Sequence, residues 1–164
     1  MEGTFLNVMA EFDERTQRRL RAVHEVLAEH GCVGRQSKTL PYHITLGIYG
    51  PDAEDALALR LSALAGTPAV DVSLGGIGLF RLDVLFAIPN VTRALLDLRR
   101  PFADSSDSRD WAPHVTLLKD RPEVVLRAVP LAAERFSGHS GRIVAVSLYQ
   151  FRPTRLVERI DLAP

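Results

Sequence analysis

The chain has 164 residues, 46% hydrophobic and 24% charged, and at that length one domain buries roughly 70% of its extended surface without disulfide or metal staples. Lysine plus arginine number 20 and aspartate plus glutamate 20, for a formal net charge of +0. This argues against a protein gripping long nucleic acid through many phosphates and towards a small ligand or the end of a strand. No apolar run approaches the about 18 residues of a membrane span, the opening MEGTFLNVMAEFDER lacks the basic start of a secretory signal, and Cys32 is the sole cysteine, which suits a reducing cytoplasm.

In chain order, Phe5–Phe12 alternates as a strand. Asp13 then fits the N-cap of a helix that Gly31 closes, followed by the polar loop CVGRQSKTLP. YHITLGIY alternates again as a strand, and DAEDALALRLSALAG is a helix opened by Pro51-Asp52 and stopped by Gly66. AVDVSLGGIGLF and DVLFAIP are strands joined as a hairpin around Arg81-Leu82. VTRALLDLRRPFA is a helix, DSSDSRDWAP a polar loop and HVTLLK a strand. RPEVVLRAVPLAAERF predicts a helix interrupted near Pro130, and RIVAVSLYQF and LVERIDL predict two final strands. Both halves thus run strand, helix, polar loop, strand, helix, strand, and the tripeptide VSL recurs at Val72 and Val146. The period is too long for a solenoid. It predicts a single α+β domain over 1–164, built as two pseudo-symmetric lobes at roughly 1–83 and 84–164. Each lobe carries mostly antiparallel sheet with helices on its outer face, and a cleft runs between them.

The two strands in equivalent places, PYHITLGIYG and APHVTLLKD, each carry His-x-Thr-Leu after a proline. On a strand, residues i and i+2 share a face, so His43 and Thr45 point one way, as do His114 and Thr116, with apolar residues behind them. Two imidazoles and two hydroxyls converging on one cleft suit a phosphodiester. One neutral histidine takes a proton from a nucleophile, and the other, protonated, gives one to the leaving oxygen. The threonines donate to the non-bridging oxygens. Neither a metal nor a cofactor is called for.

By the same alternation Gly47 and Tyr49 share the His43 face, where Tyr49 either stacks on a base or simply ends the strand. Trp111, just before the second motif, either lids the cleft or packs under its loop. Arg35, Lys38 and Arg109 lie on the loops feeding the motif strands, where they either steer phosphate or stay solvated. Cys32, and the histidines His24, His30 and His139, lack any such context.

Paired His-x-Thr-hydrophobic motifs in a short α+β chain resemble the 2H phosphoesterase superfamily, and within it the 2′-5′ RNA ligases and RNA 2′,3′-cyclic phosphodiesterases. The resemblance covers nearly the whole chain. It implies His43 and His114 as the catalytic pair, Thr45 and Thr116 as phosphate ligands, and Lys119 where members often carry an arginine. Lysine keeps the charge but loses the fork of two parallel donors. GIYG follows the first motif where Lys-Phe-Leu-Gly or similar is usual. The implied activity is hydrolysis of a cyclic phosphate on a nucleotide or RNA end, with 2′-5′ ligation as a second activity of such proteins. Alternatives are a signalling oligonucleotide or an ADP-ribose cyclic phosphate as substrate, or a non-catalytic module that binds RNA ends or nucleotides. The expected partner is a nucleotide or RNA end, with neither membrane nor obligate protein partner.

Overall fold

A computed structural model describes residues 3–105, 110–136 and 138–164. Among them, seven strands form one antiparallel sheet, with four α-helices. The strands are β1 (Phe5–Phe12), β2 (His43–Tyr49), β3 (Val70–Phe80), β4 (Val84–Pro89), β5 (Val115–Lys119), β6 (His139–Phe151) and β7 (Arg155–Asp161). The helices are α1 (Glu14–Glu29), α2 (Glu54–Ser62), α3 (Arg93–Arg99) and α4 (Pro122–Arg135). The α+β class and mostly antiparallel sheet match the sequence reading. No helix among the described residues is long and apolar enough to cross a membrane.

Strand order is β2-β1-β6-β3-β4-β5, with β7 also on β6. Its pairings cross the boundary between the two halves of the sequence. β3, from the first half, pairs with β4 of the second, while β6, from the second half, pairs with β1 of the first. β6 is long enough to serve both: β1 runs beside Ile143–Phe151, and β3 beside His139–Ile143. Each half therefore lends its last long strand to the other, which local periodicity cannot reveal.

Local signals explain most boundaries. Asp13 accepts from the Thr16 amide at 2.8 Å and caps α1, and Gly31 leaves the helix at φ +76°. Thr92 caps α3 by accepting from Leu95 N. The β3–β4 turn holds Arg81 and Leu82 at φ 51° and 72°, the left-handed pair that matches the twist of a tight hairpin. α4 runs unbroken through Pro130, contrary to the expected interruption. Pro130 and Leu126, whose carbonyl it leaves without an amide, both lie on the solvent face, where water replaces the lost bond.

Strand alternation sorts the core. Leu6, Val8, Ala10 and Phe12 of β1 are buried with Leu20, Val23 and Leu27 of α1 in one hydrophobic cluster. Asn7, Met9 and Glu11 occupy the opposite face of β1, and Asn7 and Met9 line a groove there. That face positions the site.

Candidate active site

β2 and β5 are the two ends of the strand order, yet both contribute to the same groove of about 1060 Å³. His43, Thr45 and Ile48 line it from β2, and Thr116 and Lys119 from β5. Reciprocal straps hold these edges together. Gln36, on the loop that leads to His43, donates to the Leu117 carbonyl at 3.1 Å and accepts from the Lys119 amide at 3.0 Å. Trp111, on the loop that leads to His114, donates from Nε1 to the Thr45 carbonyl at 2.9 Å. Each motif's loop is thus tied to the other motif's strand, and unpaired edges are covered.

The straps land on backbone bulges. Met9 pairs with Thr45 and Val8 with Gly47, so Leu46 is an extra residue. Phe86 pairs with Thr116 and Leu85 with Leu118, so Leu117 is its counterpart. The leucine of each His-x-Thr-Leu is therefore the bulged residue, whose ladder groups are left for other partners. Both leucines and Leu118 are fully buried, and Gly47 is buried as well.

A bulge also resets parity, and this corrects the reading of Tyr49. Two consecutive inward residues return Ile48 and Lys119, five after each histidine, to the groove side. Tyr49 points into the core instead: it is 6% exposed, and its hydroxyl donates to the Phe102 carbonyl at 2.7 Å and to Asp104 at 3.1 Å. Burial, then Asp104, pushes its phenol well above its ordinary value. It cannot stack on a ligand. Gly47 leaves room for protein rather than substrate, since a Cβ there would meet the Tyr49 ring at 2.8 Å and the Phe102 carbonyl at 3.0 Å. Lys119 reaches the groove because of the bulge, since strict alternation would aim it away from Thr116.

Trp111 is likewise no open lid. It packs against the core, its N–H is bound to Thr45, and the Arg99 guanidinium lies 4.7 Å from its ring centroid. Arg35 and Lys38 do line the groove, with Arg35 paired to Asp120 at 3.2 Å. Arg109 lies outside the described residues. Cys32 is fully buried with its sulfur near the Val124 carbonyl, which leaves it no access to substrate.

The histidines are held alike. His43 Nδ1 lies 2.8 Å from the Pro41 carbonyl, and His114 Nδ1 lies 2.8 Å from the Ala112 carbonyl. A carbonyl only accepts, so each Nδ1 carries a proton and each neutral ring keeps Nε2 as its bare, basic nitrogen. Their surroundings differ. The His114 ring stands edge-on to Phe80, with centroids 4.8 Å apart, and lies 5.4 Å from Phe86. His43 keeps some surface open to the groove but is crowded by protein. Burial holds it below the usual histidine range, the Pro41 hydrogen bond opposes that, the positive charge of His114 lowers it further, and Glu11 raises it. Asn7 Nδ2 reaches Thr45 Oγ1 at 3.4 Å. His43, the two threonines and Lys119 line the groove, whereas His114 is not among its lining residues; two hydroxyls and a cation beside an imidazole suit an anionic ester.

A sequence model of the 2′-5′ RNA ligase superfamily matches residues 12–152. No curated protein matches the chain. Among solved structures, Escherichia coli LigT in its apo form aligns over 100% of both chains at 21% identity and a TM-score of 0.64. LigT complexed with 3′-AMP aligns over 99% of this chain and 100% of that one, at 20% identity and 0.65. TT0787 of Thermus thermophilus covers 96% of this chain and 97% of its own, at 18% identity and 0.64. At such identities these structures speak for the fold alone.

Proposed function

The chain belongs to the 2′-5′ RNA ligase superfamily of 2H phosphoesterases, and from that premise we propose that it is a phosphodiesterase that hydrolyses a 2′,3′-cyclic phosphate on an RNA end or nucleotide. His43 is the general base and His114 the general acid. The observation that carries this reading is the matched Nδ1-to-carbonyl bond at 2.8 Å behind each histidine, which reserves both Nε2 atoms for substrate. Crowding keeps His43 neutral at the pH where it must accept a proton.

Water attacks the phosphorus as His43 Nε2 takes its proton. One ribose ester P–O bond breaks, and His114 delivers a proton to the departing ribose oxygen. Thr45, Thr116 and Lys119 bind the non-bridging oxygens, where negative charge gathers. No step requires a metal. LigT has been solved with 3′-AMP and with ATP, which favours a nucleotide as the ligand here too.

A panel of 2′,3′-cyclic mononucleotides, cyclic-ended RNA and 2′-5′ oligonucleotides, analysed for product position, tests the assignment. Turnover of the cyclic phosphates that survives EDTA is expected, and cleavage of 2′-5′ linkages alone would replace the substrate. Few phosphates beyond the scissile one should be held, so log affinity for cyclic-ended RNA should fall against log salt with a slope of roughly −1 to −2.

A further inference from the structure

Glu11 is a buried carboxylate in a place that alternation alone would not reserve for one. It lies opposite His43 in the β1–β2 register and on the same face of β1 as the groove residues Asn7 and Met9. It is only 6% exposed. Arg159, reaching across from β7, donates from Nε to Glu11 Oε2 at 3.0 Å and is itself paired with Asp161. The other oxygen, Oε1, is buried and accepts no hydrogen bond from the described residues. Arg159 compensates one oxygen of this buried carboxylate, and the unpaired Oε1 leaves it able to favour a second positive charge beside it.

We propose that Glu11, clamped by Arg159, is a positioning residue for proton transfer that stabilises the imidazolium formed on His43. The proposal rests on His43 as the proton acceptor. At rest His43 is neutral, and its Nδ1–H is already used by Pro41. When Nε2 takes a proton, the new charge appears across the strand pair from a fixed negative one. Arg159 fixes the direction of that carboxylate while moderating its field. The groups that bear on His43 are Glu11 from β1 and His114 from the head of β5. Tyr149 of β6 and Arg159 of β7 bear on Glu11. The His114 ring packs against Phe80 and Phe86. The two otherwise matched histidines are thereby made unequal.

The test reads the histidine rings directly by NMR titration, so it succeeds or fails whether or not the enzyme turns over a cyclic phosphate. In Glu11→Gln, which keeps the shape and an acceptor for Arg159, the His43 pKa should fall by about half a unit or more, with the His114 resonance little moved. Glu11→Asp should restore most of the difference. Arg159→Gln should shift His43 upwards in the wild-type background and hardly at all with Glu11→Gln, as expected if it acts through the carboxylate. On a cyclic nucleotide, the acidic limb of kcat/KM should follow the same order. An unshifted His43 in Glu11→Gln, with Glu11→Asp equally silent, overturns the inference. An equal response to Arg159→Gln in both backgrounds removes Arg159 from it.

Discussion

The two His-x-Thr strands use the same backbone devices and differ in what stands behind each histidine. In both, Nδ1 donates to the carbonyl two residues back, the leucine after the threonine is bulged, and a side chain from the opposite loop binds that region. Behind His43 lies the Glu11–Arg159 pair, whereas His114 is packed by Phe80 and Phe86. Five residues on, the first copy presents Ile48 to the groove and the second presents Lys119. Shared backbone geometry fixes where the rings sit. Under the proposed mechanism, the unshared side chains set which ring takes the proton and which side of the phosphate meets a cation.

The strongest way to break this comparison is to remove one ring at a time. His43→Ala and His114→Ala should each lower turnover by about 10²–10⁴, the usual worth of general acid–base catalysis. Circular dichroism should show the fold intact in both. Their pH profiles should differ, with the limb set by loss of the neutral base disappearing only in the His43 variant. If either variant retains near wild-type turnover, the two-histidine mechanism fails.

The hydroxyls come next. Thr45→Val and Thr116→Val each remove one donor to the developing charge while keeping the shape, and a cost of roughly 10–10² in kcat is expected from a single oxyanion-type donor shared with others. Thr45 should matter in a second way, because its hydroxyl is also contacted by Asn7, which stands on β1 beside the first copy alone. Asn7→Ala should therefore weaken the first copy only. Equal sensitivity of both threonines to Asn7→Ala would show that the copies are coupled through the phosphate rather than distinguished by their floors.

Period-two alternation was enough to set His43 with Thr45 and His114 with Thr116, because those pairs precede the bulges. It failed for Tyr49 because Leu46 adds one residue that β1 does not match. No residue type in TLGIY announces that insertion, although Gly47, which a Cβ would drive into Tyr49, is the one local hint. Gln36 was invisible for another reason: a loop glutamine carries no pattern, and its partners Leu117 and Lys119 lie far along the chain. Nothing in the alternation of β1 marks Glu11, and only the fold brings Arg159 of β7 to it. The strand exchange through β6 had the same cause, since non-local pairing leaves no periodic trace.

The straps allow a test of how the copies are held in register. Trp111→Phe removes the hydrogen bond to the Thr45 carbonyl but keeps most of the packing, and Gln36→Ala removes both bonds to β5. Each lost bond should cost about 1 kcal/mol in urea unfolding. Turnover should fall only a few-fold, mostly through KM, if the straps merely align two rigid edges. A loss of turnover as large as that of a histidine variant would mean that the straps hold the rings themselves.

The smallest effect expected is on stability against pH, and it isolates what burial does to His43. Its pKa in the folded chain is lowered, chiefly by desolvation, as is that of His139. Between that lowered value and the unfolded value of about 6.5, the unfolded chain binds a proton that the folded chain refuses. Unfolding free energy should therefore decline as pH drops below about 6.5 and level off once the folded-state histidines are themselves protonated. Asp104, held low first by its hydrogen bond to Arg60, adds a separate loss only at more acidic pH, below the ordinary carboxylate range. Urea midpoints between about pH 5 and 7.5 thus report mainly on the histidines. His43→Gln should flatten part of that slope, and His139→Gln should flatten another part. If the slope persists unchanged in His43→Gln, desolvation is not what keeps this ring neutral. The base assignment would then lose the support that burial gives it.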